Sequence, residues 1–203
     1  MSDEDEPLPH GWFAIPGVQS GERNLKERVL PLAPLLNYSQ GATILDLGCA
    51  EGCISKWLID KGGARLVHGL DKYKPWIETA REQMKYNYVT SRFEPMDFNE
   101  FDFALPWMLP RYDIVLCLNV AQKLFDPKKF LVAAARMAEK FFVYSGPEPV
   151  LNDHRSGNVQ IDVQKLLASK FHLCAVKRGD VHSRKGKLGV RLIFKRRKRR
   201  VSK

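Results

Sequence analysis

Residues 44–55 read Ile44-Leu45-Asp46-Leu47-Gly48-Cys49-Ala50-Glu51-Gly52-Cys53-Ile54-Ser55, an apolar run followed by a turn with two glycines and the beginning of an amphipathic segment. This order predicts a strand, a tight loop and the first turn of a helix. Gly48 and Gly52 permit positive φ angles and a close approach of the backbone to a ligand, because glycine lacks a Cβ atom. Such a loop presents backbone N–H groups and the positive end of a helix dipole. Because Asp46 is acidic, a ligand with an amine or hydroxyl groups suits this position better than a bare pyrophosphate.

Two kinds of cofactor-binding loop have glycines in a similar arrangement. The nicotinamide and flavin fingerprint needs glycines at positions that here hold Gly48, Ala50 and Cys53, so two of the three do not match. The stretch instead resembles the first motif of class I S-adenosylmethionine (SAM) methyltransferases, because Asp46, Gly48 and Gly52 fall on that motif's positions. Ala50 replaces a glycine that is often found in the middle of the motif. The alternative interpretation is an ordinary strand-turn-helix with glycines for packing.

A second acidic residue follows the next predicted strand. The run Leu66–Leu70 is typical of a buried strand, and Asp71 comes directly after it, 23 residues beyond Gly48. In dinucleotide-binding folds, an acidic residue near this distance accepts hydrogen bonds from ribose hydroxyls. A carboxylate can accept from both hydroxyls at once. The loop and Asp71 together therefore predict a nucleoside-binding βαβ unit, and a helix N-cap or a solvated turn is the alternative role for Asp71.

The remainder of the chain continues the alternation of strands and helices. The predicted strands before the C-terminal region are 44–47, 66–70, 93–96, 112–120 and 141–144, with apolar helical stripes between them. Two further strands, 172–176 and 189–194, have no helix pattern between them and predict an antiparallel hairpin. The pattern predicts a doubly wound, mostly parallel seven-stranded sheet in a three-layer α/β/α fold with a C-terminal antiparallel hairpin. It also resembles the class I methyltransferase fold over nearly the whole chain.

The chain is predicted to form one domain with two terminal extensions. Residues 1–20 begin with an acidic run and contain several prolines and glycines, which predicts an irregular arm. The aromatic residues Trp12 and Phe13 would pin this arm to the domain or contact a substrate. Residues 21–194 then form the SAM-dependent methyltransferase domain, and residues 195–203 form a basic tail.

Composition narrows the class of protein. No apolar run approaches the roughly 20 residues that cross a bilayer. The acidic N-terminus lacks the basic and then apolar pattern of a secretory signal, so we expect a cytoplasmic protein without membrane contact. The four cysteines, Cys49, Cys53, Cys117 and Cys174, form no C-x-x-C pair. Free thiols in a reducing compartment and no metal site are therefore expected.

The formal net charge of +10 is concentrated at the C-terminal end. From Lys170 to Lys203 there are 14 basic residues and one acidic residue, whereas residues 1–169 carry a net charge of −3. The densest basic run is Lys195, Arg196, Arg197, Lys198, Arg199 and Arg200. Such a run predicts contact with the phosphates of RNA or DNA. The alternatives are a solvated extension or a localisation signal, which would direct the protein to the nucleus in a eukaryotic cell.

The resemblance to methyltransferases implies a set of SAM-binding residues. The loop N–H groups would hold the methionine part and Asp46 its ammonium group, and Asp71 would accept from the ribose. Asp97 would lie beside the adenine amino group, and the alternative role for Asp97 is a loop carboxylate that caps the residues after it. The complete implied set is Asp46, Gly48, Cys49, Ala50, Glu51, Gly52, Asp71, Lys72, Asp97 and Asn119.

The identity of the methyl acceptor must be inferred from the segment after the fourth strand and from motifs that this segment has or lacks. The segment after the fourth strand, Leu118–Lys123, lies where substrates bind in this fold. It lacks the Asn/Asp-Pro-Pro-Tyr/Phe motif of enzymes that methylate exocyclic base nitrogens. A base is needed only when the acceptor arrives protonated, and the candidates for a catalytic role are Asn119, Gln122, Lys123 and His154. Our first hypothesis is an RNA or nucleic-acid-associated acceptor; a small-molecule acceptor and a catalytically silent SAM-fold binding module are the alternatives.

Overall fold

The computed structural model describes residues 10–15, 18–85, 90–100, 110–147, 150–151, 160–179 and 189–198. The strands are β1 (His10–Phe13), β2 (Ser20–Arg23), β3 (Thr43–Leu47), β4 (Leu66–Asp71), β5 (Thr90–Pro95), β6 (Tyr112–Leu118), β7 (Ala138–Pro147), β8 (Val150–Leu151), β9 (Gln160–Ile161), β10 (Phe171–Gly179) and β11 (Gly189–Arg196). The α-helices are α1 (Leu25–Val29), α2 (Leu36–Ser39), α3 (Cys53–Asp60), α4 (Lys74–Met84), α5 (Pro127–Met137) and α6 (Val163–Leu167), and 3-10 helices cover Leu30–Leu35 and Ala121–Lys123.

Seven of the described strands form one central sheet in the order β10-β11-β7-β6-β3-β4-β5. The five strands from β3 to β7 pair in parallel, and β11 is antiparallel to both of its neighbours, β7 and β10. The predicted mostly parallel sheet and its C-terminal antiparallel hairpin are therefore confirmed. The chain order reverses at β3, which lies between β6 and β4, and ligands of doubly wound folds bind at the carboxyl ends of strands at such a point.

Two apolar cores hold helices against the two faces of the sheet. On one face, Leu58 of α3 and Ile77 of α4 pack in the same core as Ile44 of β3. On the other face, Phe130 of α5 packs in the same core as Phe142 of β7. The central parallel strands β3 and β6 are buried on both faces, which explains their nearly continuous apolar sequences. The three-layer α/β/α arrangement follows from this pattern.

The N-terminal arm is more regular than its sequence predicts. β1 pairs in parallel with β2, so the prediction of an irregular arm over residues 1–20 is wrong for these strands. Because β2 extends to Arg23, the first helix, α1, begins only at Leu25. Asn24 then caps α1 by accepting a hydrogen bond from the Lys26 N–H at 2.9 Å. Residues 1–9, 16 and 17 lie outside the described part of the arm.

The beginning of the predicted basic tail belongs to the sheet, because β11 continues to Arg196. The Arg196 guanidinium donates hydrogen bonds to the carbonyl oxygens of Ala138 at 2.6 Å and Ala135 at 2.9 Å. Arg197 donates from Nε to the Ala168 carbonyl at 3.2 Å. Ala135 and Ala168 lie at the C-terminal ends of α5 and α6, where helix carbonyls lack partners within the helix. These two arginines therefore hold helix ends, a structural role that their sequence does not predict, and their contact with phosphates stays a prediction.

The part of the chain that the structure describes offers no candidate for a membrane-spanning helix or for a metal-binding cluster. There, no helix is long and apolar enough to cross a membrane. Nor does that part contain a group of three or more His, Cys, Asp or Glu side chains placed to hold a metal ion. All four cysteines have free thiols, and Cys174 is the exposed one.

Replacing Arg196 tests its role at the helix ends. We expect Arg196→Met to lower the free energy of unfolding by about 2 kcal/mol, because a charged donor is removed from two carbonyl groups. This loss corresponds to a decrease in melting temperature of roughly 4–8 °C for a domain of this length. The control is Lys198→Met at an exposed position, expected to change stability by less than about 0.5 kcal/mol. Thermal unfolding followed by circular dichroism measures both, and equal effects would contradict the role of Arg196.

Candidate functional site

The loop between β3 and α3 contains three residues with positive φ. These angles are +76° at Gly48, +48° at Ala50 and +75° at Gly52. Glycine is needed at position 48 for a second reason, because a Cβ atom there would lie 2.2 Å from Cγ2 of Val120. Ala50 adopts the left-handed conformation despite its Cβ atom, and its N–H donates a hydrogen bond to Oδ2 of Asp71 at 3.0 Å. Contacts with the loops after β4 and β6 thus hold this turn in place.

Asp46 lies near the end of β3 and is buried beneath this loop, with 2% of its surface exposed. Ser55, in the first turn of α3, donates a hydrogen bond to Oδ2 of Asp46 at 2.7 Å. Burial raises the pKa of Asp46 to about 6, the hydrogen bond from Ser55 opposes this increase, and the charge of Asp71 adds to it. A buried carboxylate is stabilised in its charged form by a nearby cation. Asp46 therefore suits a ligand with a positive group.

Asp71 ends β4 and combines structural hydrogen bonds with free acceptor capacity. Its Oδ2 accepts from the Ala50 N–H, and its Oδ1 accepts from the Tyr73 N–H at 3.1 Å. A carboxylate offers about four acceptor positions, so each oxygen can accept one more hydrogen bond. The side chain is 8% exposed and borders a cavity. Asp71 can therefore hold the loop and bind ligand hydroxyls at the same time.

Two adjoining cavities lie over the carboxyl ends of β3, β4 and β6. The larger has a volume of about 370 Å³ and the smaller of about 80 Å³. Residues that line both are Gly48, Asp71, Trp76, Val120 and Lys123. Other predicted site residues line one cavity each: Asp46, Cys49, Ala50 and Asn119 line the smaller, and Lys72 and Asp97 line the larger. The structure therefore brings most of the predicted cofactor residues together.

Three predicted residues, Glu51, Gly52 and Gln122, line neither of these two cavities. Glu51 is fully buried, and its carboxylate accepts hydrogen bonds from the Trp12 N–H and from Nε2 of Gln19, the latter at 3.0 Å. Its side chain thus holds the N-terminal arm, and its contact with the cofactor stays a prediction. Gly52 instead forms the N-cap of α3. His154 lies outside the described residues.

The N-terminal arm contributes aromatic residues to the smaller cavity. Trp12 and Phe13 both line it. The Trp12 ring lies 6.3 Å from the ring of Trp76, and the Lys123 amine lies 5.5 Å from the centre of the Trp12 ring. A cation over a tryptophan ring is worth about 0.5–1 kcal/mol at such a site. The arm therefore connects α4 with the segment after β6. Its two aromatic residues also lie at the cavity wall, which is the position that contact with a substrate requires.

Sequence patterns did not identify two arginines that also line the smaller cavity. Arg28 of α1 is 8% exposed and Arg191 of β11 is 3% exposed. Nη1 of Arg191 donates a hydrogen bond to the Arg28 carbonyl oxygen at 2.8 Å. The two residues are 163 positions apart, so no local pattern indicates that they meet.

Comparison with known proteins agrees with this geometry. The profile of a methyltransferase domain family matches residues 38–176, which is more than half of the chain. The chain belongs to the class I SAM-dependent methyltransferases. The matched region includes β3, β4 and β6 and therefore the loops that form the two cavities.

Two curated relatives share part of this methyltransferase sequence. A ubiquinone biosynthesis O-methyltransferase from Neisseria meningitidis is 27% identical over 100 residues, which cover 49% of this chain and 40% of that protein. A protein of the same name from Alkalilimnicola ehrlichii is 28% identical over 115 residues, which cover 53% and 42%. The chain thus spans less than half the length of the curated relatives that it matches.

Solved structures of methyltransferases have the same fold. Magnesium protoporphyrin IX methyltransferase from Synechocystis PCC 6803 with bound SAM superposes with a TM-score of 0.61 at 18% identity, covering 85% of this chain and 80% of that one. The N-methyltransferase NodS from Bradyrhizobium japonicum WM9, in complex with S-adenosyl-L-homocysteine (SAH), has a TM-score of 0.66 at 16% identity, covering 85% and 87%. The predicted methyltransferase fold is therefore confirmed.

Two glycine substitutions, one before β3 and one in the loop after it, distinguish the stability cost of backbone strain from the cost of a packing collision. Gly41 has a φ of +67°, and a Cβ atom added there would have no atom of the described residues within 4 Å. Gly41→Ala is therefore expected to lose about 1 kcal/mol of stability from strain alone. Gly48→Ala should lose about 3 kcal/mol, because its Cβ also collides with Val120. Urea unfolding measures both free energies. Equal losses would contradict the packing of Gly48 on Val120.

The pKa of Asp46 predicts a pH-dependent stability in the absence of SAM. Because the folded-state value of about 6 exceeds the unfolded value near 3.9, this group stabilises the fold most below pH 4 and loses that contribution as the pH rises through 6. Asp46→Asn removes the titration. The unfolding free energy of wild type minus variant should therefore fall by about 2–3 kcal/mol between pH 4 and pH 7.5. The measurement is urea unfolding across this pH range, with Asp60→Asn as an exposed control. If the difference in unfolding free energy between wild type and Asp46→Asn stayed constant with pH, the raised pKa of Asp46 would be contradicted.

Proposed function

We propose that this methyltransferase binds SAM across the two adjoining cavities and transfers the methyl group to a small-molecule acceptor. The observation that carries the proposal is the convergence of Asp46, Gly48 and Asp71 on cavities at the carboxyl ends of β3, β4 and β6. Ligands of doubly wound folds bind at this position. The methionine end of SAM would occupy the smaller cavity, and the adenosine would occupy the larger.

The residues present fit the chemical groups of SAM. The buried carboxylate of Asp46 matches the methionine ammonium group, and the remaining acceptor positions of Asp71 match the two ribose hydroxyls. Gly48 borders both cavities, where its missing Cβ atom lets the loop backbone pack against Val120. Asp97 lines the larger cavity, where its carboxylate would accept from the adenine amino group.

The chain's main contribution to the reaction would be to orient the acceptor and exclude water. Bound SAM supplies a methyl group that its sulfonium already activates. Trp12 and Trp76 would shield the cavity from solvent. Asn119 lines the smaller cavity at the carboxyl end of β6, and its Oδ1 accepts no hydrogen bond from the described residues. This oxygen is available to hold an acceptor O–H or N–H group in line with the methyl group, which is the positional part of catalysis.

Two observations support a small acceptor over RNA. The curated relatives carry the name ubiquinone biosynthesis O-methyltransferase. In addition, the described basic residues of the C-terminal run lie toward the other end of the sheet. Arg191, which borders the cavity, pairs with Ser145, whereas Arg196 contacts Ala138 at the start of β7. Seven residues of strand separate Ser145 from Ala138, which is roughly 23 Å at about 3.3 Å per residue.

One observation favours a second function, the binding of nucleic acid away from the methyl donor. A basic groove of about 960 Å³ lies at the end of the sheet where β7 begins. Its basic lining includes Arg111, Arg136, Lys140, Lys170, Lys195 and Lys198. Positive side chains along a groove suit a phosphate backbone. Arg199 and Arg200, which belong to the predicted nucleic-acid contact, lie outside the described residues.

Methyl-labelled SAM tests the proposed function. The wild type, Asp71→Ala and the groove variant Lys195→Glu/Lys198→Glu would each be incubated with labelled SAM and a cell extract, and the label would be counted in small molecules, RNA, DNA and protein. We expect label in small molecules with the wild type and the groove variant. Asp71→Ala should bind SAM at least tenfold more weakly, a loss of about 1.4 kcal/mol, and should transfer little label.

The controls distinguish the alternatives. Asp60→Ala removes an exposed carboxylate from α3 and should leave SAM affinity unchanged, as measured by isothermal titration calorimetry. Label in RNA or DNA that disappears with the groove variant would favour the nucleic-acid acceptor. An unchanged dissociation constant for Asp71→Ala would contradict the ribose contact.

A further inference from the structure

Three arginines lie together beside the smaller cavity, and we call Arg23, Arg28 and Arg191 the arginine cluster. Arg28 and Arg191 line the cavity, and both are more than nine-tenths buried. Burial, together with the charge of Arg23, lowers the pKa of Arg28 to about 10. Burial and the charge of Arg28 lower the pKa of Arg191 to about 10 as well. The cluster therefore concentrates positive charge in a place with little access to water.

The acidic side chains of the same cavity do not neutralise Arg191. Asp46 accepts its side-chain hydrogen bond from Ser55, and Asp71 accepts from the backbone of Ala50 and Tyr73. Arg191 forms no ion pair with any residue in the described part of the chain, and its buried Nε donates no hydrogen bond there. Leaving a charge buried and unpaired is costly. A ligand with negative charge would remove that cost.

Arg191 lies three strand positions away from Asp46 in the sheet, although both residues line the smaller cavity. Arg191 of β11 lies opposite Ser145 of β7, which in turn lies opposite Leu118 of β6. At about 4.8 Å between strands, Arg191 is roughly 10 Å beyond β6 and farther from β3, which carries Asp46. Asp71 lies still farther away on β4. In the strand order, Arg191 is therefore on the opposite side of β6 from Asp46 and Asp71.

The free edge of Arg191 has the shape of an oxyanion site. Its Nη1 is engaged by the Arg28 carbonyl at 2.8 Å, which leaves Nε and Nη2 on one edge of the guanidinium. Two parallel N–H donors on one edge match the two oxygens of a carboxylate or phosphate. A compact terminal group can reach a residue that is 3% exposed at the wall of a cavity.

We propose that the methyl acceptor carries a carboxylate or phosphate group and that Arg191, supported by the neighbouring charge of Arg28, binds it. This inference rests on the proposed methyl transfer to a small molecule and adds the charge of that molecule. Arg191 acts here as a specificity-determining residue: it would hold the anionic end of the acceptor so that the reacting atom lies beside Asn119.

The test measures anion binding to the SAH-saturated protein. Inorganic phosphate and benzoate are titrated separately by calorimetry into wild type, Arg191→Met and the exposed control Arg65→Met, so that the two probes distinguish phosphate from carboxylate. We expect one or both probes to bind the wild type and the control, and to bind Arg191→Met at least tenfold more weakly. SAH affinity should change less than threefold. Absence of probe binding to the wild type would overturn the proposal.

The donor's own carboxylate is the other source of negative charge in this cavity. It is tested by comparing SAH with 5′-methylthioadenosine, which lacks the amino-acid part. If Arg191→Met weakened SAH tenfold and left 5′-methylthioadenosine unchanged, Arg191 would bind the donor, and the inference would be wrong. A wild type that bound no SAH would instead refute the proposed function, and the inference with it.

A conservative variant covers a failure to fold. Arg191→Lys keeps the charge but lacks the two-donor edge, and circular dichroism establishes whether each variant is folded. If Arg191→Met does not fold, we expect Arg191→Lys to bind the anionic probe at least threefold more weakly than wild type, with SAH affinity maintained. Equal probe affinity for Arg191→Lys and wild type would then overturn the proposed recognition by the guanidinium edge.

Discussion

The hydrogen bond from the Ala50 N–H to the Asp71 carboxylate joins the two loops that follow β3 and β4. It holds Ala50 in a left-handed conformation that its Cβ atom disfavours, and it fixes Asp71 at the edge of both cavities. Gly48 connects the loop after β3 to a third loop, the one after β6, because its missing Cβ lets the turn pack against Val120. The ends of three neighbouring strands are thereby locked together, and the sheet order β6-β3-β4 sets which side chains meet at the site.

Opposite charges remain separate within the smaller cavity. Asp46 accepts a hydrogen bond from the Ser55 hydroxyl, and Arg191 donates one to the Arg28 carbonyl oxygen. Both partners are neutral, so the carboxylate and the guanidinium can each still bind a charged group of a ligand. Neutral hydrogen-bond partners position these charges without cancelling them. The N-terminal arm completes the cavity through Trp12, whose backbone N–H donates to the buried carboxylate of Glu51. Glu51, in the loop after β3, thereby positions the arm.

Local sequence patterns predicted the parts of the fold that depend on neighbouring residues in the chain. The apolar runs indicated β3, β4 and β6, the glycines at 48 and 52 indicated the turn, and the spacing to Asp71 indicated the second loop. Features that depend on tertiary contacts were not predictable in this way. Arg28 and Arg191 meet across 163 residues, and β1 forms a strand only because it pairs with β2. Similarly, Arg196 has the sequence of a solvated tail but contacts the ends of other elements because β11 extends that far.

The most direct test of SAM binding by these loops is a crystal structure of the protein with SAH. We expect density for the ribose hydroxyls against Asp71 and for the amino-acid part beside Asp46 and Gly48. Density for SAH at another position, such as the basic groove near Arg136 and Lys170, would contradict the assignment of the site. So would the absence of ligand density in crystals grown at saturating SAH.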